Sequence, residues 1–189
     1  MYRAIVKIEG KSPLSQSHQH YTPFLDGESA EDYDRRTWRE KCNYDPKTGI
    51  VHVPAMAIQQ AMATAAKRLA IPDPDNRRAN FTKYFVSDVI CEGDMPIGIK
   101  KDDMPSVTIS ANVDGVRGSG KRVPRTFPQT PEWGGEVSFL IMEEKIKPEI
   151  FERVINRAGL SIGVGQFRPE NGGKNGRFKV VKVIYEKGV

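Results

Sequence analysis

The sequence predicts an α+β domain in which one antiparallel sheet carries two helices on one face and long insertions in its loops. Three observations predict it. Residues 1–10 alternate apolar and polar side chains with the period of a half-buried strand. Residues 54–69 and 148–158 place apolar side chains three and four apart, the stripe of a helix packed on a sheet. Alternating or β-branched runs at 50–53, 83–91, 107–113, 136–142 and 178–186 supply further strands around those helices.

In the first strand Tyr2, Ala4, Val6 and Ile8 share one face, and Arg3, Ile5, Lys7 and Glu9 the other. Residues 15–49 are long, polar and weakly periodic, with Asp26, Glu28, Glu31, Asp32 and Asp34 followed by Arg35, Arg36, Arg39 and Lys41. Loops of that length in a compact domain are usually functional, so this is an expected insertion, with a short helix near residues 32–41. Turn residues at 45–49 lead into the strand at 50–53. Pro54 then opens a helix, where its missing N–H costs nothing, and Ile58, Ala61, Met62, Ala65 and Leu69 form the stripe. The helix ends before Ile71 and Pro72.

Residues 83–91 read as a strand through Phe85, Val86, Val89 and Ile90, and Val107, Ile109, Ala111 and Val113 alternate with polar neighbours in the next. Residues 114–130 read as a second loop insertion, with Arg117, Lys121, Arg122 and Arg125 against the single acid Asp114. A strand at 136–142 follows. Pro148 opens the second helix, Gly159 closes it, and Ile150, Phe151, Val154, Ile155 and Ala158 form its stripe. The last strand is dense in valine and isoleucine, as a central strand would be. Taken as strand, helix, strand, strand, helix, strand, this is a ferredoxin-like (RRM-like) βαββαβ sheet, with the face opposite the helices free to bind.

At 189 residues the chain fits a single domain. Hydrophobic residues are 38% and charged residues 28%, a globular composition. No apolar run approaches the roughly 20 residues of a membrane span, and the first residues lack a signal peptide's apolar core, so a cytoplasmic protein with no membrane association is expected. Cys42 and Cys91 have no framework spacing and are expected to be free thiols. A net charge of +5 favours an anionic partner.

The densest functional signal is the tail at 159–182, where glycines interleave with Arg168, Lys174, Arg177, Lys179 and Lys182 against the lone acid Glu170. Glycine lets main-chain N–H groups approach an anion, so this stretch suits a phosphate backbone. Two apparent nucleotide motifs fail on context. The run at 115–122 has Arg122 where a phosphate loop needs serine or threonine, and prolines follow where a helix should. The run at 163–168 follows a helix and precedes none, against the dinucleotide fingerprint. No cofactor and no metal site are expected, since no Cys or His pair has ligand spacing. Tyr21, Phe24, Tyr33, Trp38, Phe127, Trp133 and Phe167 lie in or beside loops that carry arginine, the combination of single-strand binders, although Trp133 is expected to pack under its own turn.

Three stretches resemble the RAMP superfamily, the repeat-associated proteins of CRISPR systems: the opening strand ending in residues 8–14, the entry at 53–58 into an alanine-rich helix, and the glycine-rich loop running into Gly176, Arg177, Phe178 and the last strand. The chain is most similar to the branch of CRISPR RNA-binding backbone subunits. Residues 163–169 also resemble compact phage or mobile-element relatives. The resemblance implies a modified ferredoxin-like domain in antiviral defence that polymerises along single-stranded RNA, as a homo-oligomer or a ribonucleoprotein subunit. Residues 15–49 and 114–130 would be insertions that grip the strand or a neighbour.

The function expected is therefore non-catalytic binding of single-stranded nucleic acid, RNA rather than DNA, through the open sheet face, both insertions and the glycine-rich loop. Arg35, Arg36, Arg39, Arg117, Lys121, Arg122, Arg168, Lys174 and Arg177 are the expected phosphate contacts, and Phe167 a stacking ring. Two alternatives stand beside it. One is a metal-independent endoribonuclease of the same superfamily with His18, His20 or His52 as general base. The other is a protein-binding structural or inhibitory mimic of a backbone subunit.

Overall fold

The computed structural model describes residues 1–112 and 120–188, with Arg77 described by its backbone alone. In chain order the elements are β1 (Tyr2–Gly10), β2 (Leu14–Ser15), α1 (Ala30–Thr37), a 3-10 turn (Trp38–Lys41), β3 (Ile50–Val53), α2 (Ala55–Leu69), β4 (Pro72–Asp73) and β5 (Asn76–Asn80). They continue with α3 (Thr82–Ser87), β6 (Val89–Cys91), β7 (Met95–Lys100), β8 (Ser106–Asn112), β9 (Arg122–Thr130), β10 (Gly134–Ile141), α4 (Pro148–Arg157) and β11 (Phe178–Lys187).

The central sheet has the order β11-β1-β10-β6, with every neighbouring pair antiparallel. With α2 between β1 and β6, and α4 between β10 and β11, this is the βαββαβ motif with its fourth strand beside its first, then its third and second. The α+β, ferredoxin-like expectation holds. Ala4, Val6 and Ile8 of β1 and Val137, Phe139 and Ile141 of β10 are buried on the helical face. Phe151, Val154 and Ile155 of α4 cover them, and Phe139 meets Phe151 edge to face at 5.3 Å. Truncating either ring to alanine should cost about 3–5 kcal/mol. Ile58, Ala61, Met62 and Ala65 bury the α2 stripe in the same core, where the alanines permit close approach.

Several expectations are corrected. Residues 83–91 are a helix turn and a short strand rather than one strand: Phe81 and Phe85, four apart, are both buried, Asn80 Oδ1 accepts from Thr82 N at 3.0 Å, and Val86 is exposed. The segment 114–130 is not all loop. Its described part from Arg122 onward is β9, paired with β8 from Asn112↔Arg122 to Ser106↔Pro128. Its prolines concealed it, yet they cost no ladder bond: Thr126, in phase with Pro124 and Pro128, sends its N–H away from β8 to Asp34 Oδ2 at 2.8 Å.

The second helix does not close at Gly159. It runs on as a π-turn (Ala158–Ile162) that Gly163 ends at φ 73°, donating its N–H to Ala158 O at 2.8 Å. β11 is an edge strand rather than a central one, with Val181 and Ile184 exposed. Trp133 does not pack under its own turn. It donates from Nε1 to Ser12 O at 2.7 Å and meets Phe178 edge-on.

Candidate nucleic-acid interface

The sheet face opposite the helices presents Arg3, Ile5 and Lys7 from β1, Ser138 and Leu140 from β10, and Lys182, Ile184 and Glu186 from β11. Among the described residues it carries no aromatic ring, and Arg3 is spent between Glu92 (2.7 Å) and Glu186 (3.5 Å). That face therefore offers no ring for a base to stack on.

The concavities with functional chemistry lie where the loop from α4 to β11 crosses β2 and the start of α2. The loop is tied down by main-chain bonds: Gln166 N to Ser15 O at 2.7 Å, Val164 N to Gly176 O at 3.0 Å and Gly176 N to Pro13 O at 2.8 Å. These crossings account for two of its glycines. A Cβ on Gly173 would stand 1.8 Å from Phe167 O, and one on Gly176 would stand 1.8 Å from Val164 O. Those two serve close packing of the loop on itself, not an open anion nest.

Between this loop, residues 16–19 and the first turn of α2 lies a cleft of about 460 Å³, and a hollow of about 280 Å³ continues from it along α2 past Gln60 and Thr64. Ala57, Gly165 and Arg168 border both. Buried Gln16 forms part of the floor: its Nε2 donates to His52 O at 2.8 Å and its Oε1 accepts from Asn43 N at 2.8 Å. Arg168 donates from Nε to Glu170 Oε2 at 2.9 Å. Phe167 sits at the rim, 37% exposed, and holds φ at +57°, a region that non-glycine residues seldom occupy.

Phe127 of β9 is the hub that joins the parts. Its ring meets Phe167 edge-on at 5.8 Å and lies under Lys41 Nζ at 4.6 Å. Lys41 in turn donates to Asp34 Oδ1 at 2.6 Å and Thr126 O at 2.7 Å, which fastens α1 and the 3-10 turn to β9. His18 lines the cleft, and its main-chain N donates to Lys41 O at 2.8 Å.

The expected contacts divide into groups. Phe167 and Arg168 share the cleft, and Lys174 is exposed on the same loop. Arg177 is occupied structurally: its N–H takes Ser12 Oγ at 3.0 Å and its guanidinium caps Leu160 O. Arg35 pairs with Glu31 and Asp32, both at 3.0 Å, and Arg36 grips Glu28 at 2.7 Å while reaching Pro23 O. Arg39 is exposed and lies over its neighbour Trp38 at 4.2 Å. Arg122 donates to Ser110 O at 2.7 Å at the far end of the β8–β9 hairpin, beside exposed Lys121. Arg117 lies outside the described residues, as do the glycines of the failed phosphate-loop run up to Gly118. The sequence did not single out Gln16, Gln19, Asn43, Gln166 or Asn171, which also line the cleft. The sequence carried no signal for them, because residues 16–19, 43 and 166–171 meet only in the folded chain.

The three histidines do not form one centre. His20 stacks on Tyr33 at 6.0 Å and contacts Thr22 Oγ1 at 3.1 Å, and burial holds its imidazole below the ordinary range. His52 faces Asp94 Oδ2 at 3.2 Å in a separate cleft with Tyr44 and Asp45. Only His18 reaches the groove of Arg168. Both cysteines are free and buried, with burial pushing the Cys42 thiol up to about 12 and the Cys91 thiol up to about 11.

No family model matches the sequence, and no curated protein matches it. Solved structures do match the fold. One chain of a type III-B Cmr-beta complex, seen by cryo-EM bound to cognate target RNA, aligns with a TM-score of 0.56 at 13% identity over 98% of this chain. The present chain spans 61% of that one's length. Cmr6 from Pyrococcus furiosus aligns with a TM-score of 0.51 at 13% identity, over 95% of this chain and 98% of the other. The likeness to both chains is one of fold, and it agrees with the ferredoxin-like arrangement expected from the sequence. No helix among the described residues is long and apolar enough to cross a membrane.

Proposed function

We propose that this chain is a non-catalytic, cytoplasmic RNA-binding subunit that holds single-stranded RNA in the cleft between the glycine-rich loop and α2. The observation that carries the reading is the convergence, in one groove, of a cation (Arg168), a rim-exposed ring (Phe167) and polar carboxamides, on a fold shared with a Cmr chain seen with RNA. Single-strand binders combine stacking rings with cations in this way. Exposed Lys174, Lys121 and Arg122 are further cations available to phosphates of the strand. Copies assemble side by side on RNA, within a ribonucleoprotein of CRISPR type.

The test is fluorescence anisotropy of a short labelled single-stranded RNA. The wild-type chain binds with strong salt dependence, and Phe167→Ala weakens binding by roughly 1–3 kcal/mol. Equal binding by Phe167→Ala and wild type would remove the cleft from the interface. His18 in the groove supports the endoribonuclease as the second reading. Incubation of the RNA with chelator present separates the two. Intact RNA is expected, and cleavage that disappears in His18→Ala would make the protein a nuclease.

A further inference from the structure

We propose that the cleft takes one unstacked nucleobase and reads its edge, so that the protein prefers one base at one position of the strand. This rests on the reading that the cleft holds single-stranded RNA, and it concerns specificity where that reading concerns affinity.

The side chains that border the cleft include the carboxamides of Gln19, Asn43, Gln166 and Asn171, one cation, one imidazole and one aromatic ring, with no carboxylate. A phosphate offers acceptors only and is met by cations and main-chain N–H groups. A base edge offers donors and acceptors together, which is what a carboxamide complements. A groove of this composition is thus matched to a base rather than to the backbone alone. Its volume of about 460 Å³ lies within the range of small-ligand pockets.

The geometry is also pre-set. Gln166 is fixed from both ends, its main-chain N bonded to Ser15 O at 2.7 Å and its Oε1 accepting from Ser15 Oγ at 3.3 Å. Its Nε2 has no protein partner among the described residues. Asn43 is positioned by the buried Gln16 amide that accepts its main-chain N–H at 2.8 Å. Phe167 holds φ at +57° beside these amides, its ring braced edge-on by Phe127 at 5.8 Å. Strain of this kind in a non-glycine residue persists only where the surroundings enforce it, and it clusters at ligand sites. A base stacked on the Phe167 ring would turn its edge toward the amides.

The experiment uses the whole chain and labelled strands of abasic ribose spacers that carry one central nucleotide, U, C, A or G, with a mixed-sequence RNA alongside. One of the four strands is expected to bind roughly tenfold better than the weakest. In Gln166→Ala/Asn171→Ala that preference falls to within about twofold. Asn171 is exposed, so Asn171→Ala alone serves where the double variant unfolds, with a partial loss of the preference expected. Equal binding of the four strands, or a preference that survives the substitutions, overturns the proposal. Failure of the mixed-sequence RNA to bind overturns the RNA reading itself, and the base-reading inference with it. Binding of that RNA with four equal strands overturns base reading alone.

Discussion

At the scale of residues, Arg168 is the cation of the cleft, and Glu170, which lines the adjoining hollow, restrains it. The carboxylate of Glu170 holds the Arg168 Nε at 2.9 Å, so an incoming phosphate competes with an internal anion for the same guanidinium. Glu170→Gln frees the cation and is expected to tighten binding of single-stranded RNA, which isothermal titration calorimetry would measure. Weaker binding would mean that Glu170 instead holds Arg168 in its productive pose. The glycines make a different demand. Gly173→Ala drives a methyl into the Phe167 carbonyl, 1.8 Å from the site of its Cβ, and is expected to destabilise the fold by about 2–3 kcal/mol in urea melts. Gly49, at φ 72° with nothing within 4 Å of an added Cβ, is the control: its alanine variant meets only backbone strain, about 1–2 kcal/mol.

At the scale of elements, α1 is held to β9 through one nearly buried acid. Asp34 accepts from Lys41 Nζ at 2.6 Å and Thr126 N at 2.8 Å. Asp34→Ala leaves Lys41, with only 13% of its side chain exposed, without its counter-charge, and is expected to cost about 3–5 kcal/mol and to detach α1 from β9. Hydrogen exchange would show this as faster exchange across 30–41 with the central sheet unchanged; slow exchange there would place the anchor elsewhere. The contact also explains what could be read from the chain. β1, α2 and α4 were legible because each has one buried and one exposed face, so periodicity reports them directly. β9 was not, because its prolines share the phase of Thr126, whose N–H meets Asp34, and Pro128 O accepts from Gln16 N beyond β2, an arrangement that local pattern does not reveal. The loop at 163–176 was legible as a candidate site from its glycines, but two of those glycines serve close approaches to Phe167 and Val164 of the same loop, which only the folded chain brings together. The amide lining was illegible for the same reason, since residues 16–19 and 166–171 meet only in the folded chain.

For the molecule as a whole, acid should unfold it in a defined window. Hydrogen bonds from Arg36 hold the Glu28 carboxylate at about 2, below its ordinary 4.5, and hydrogen bonding also lowers Glu92, through Arg3, and Asp73, through the Asp75 main chain. A carboxylate depressed in the folded state stabilises it above the unfolded value, and that contribution is lost as pH falls from 4.5 toward about 2. His20, lowered by burial, adds an earlier loss as pH drops below 6.5. Thermal melts followed by circular dichroism should therefore show a shallow fall below 6.5 and a steep one below 4.5; a Tm that stays level across both would contradict the assigned pairings. Side-by-side assembly predicts a mass that grows with RNA length in light scattering. The most direct test of the cleft as the RNA site is the salt dependence of binding by Arg168→Ala beside wild type. The proposed site predicts weaker binding and a log–log salt slope shallower by about 1. An unchanged affinity and slope would contradict it.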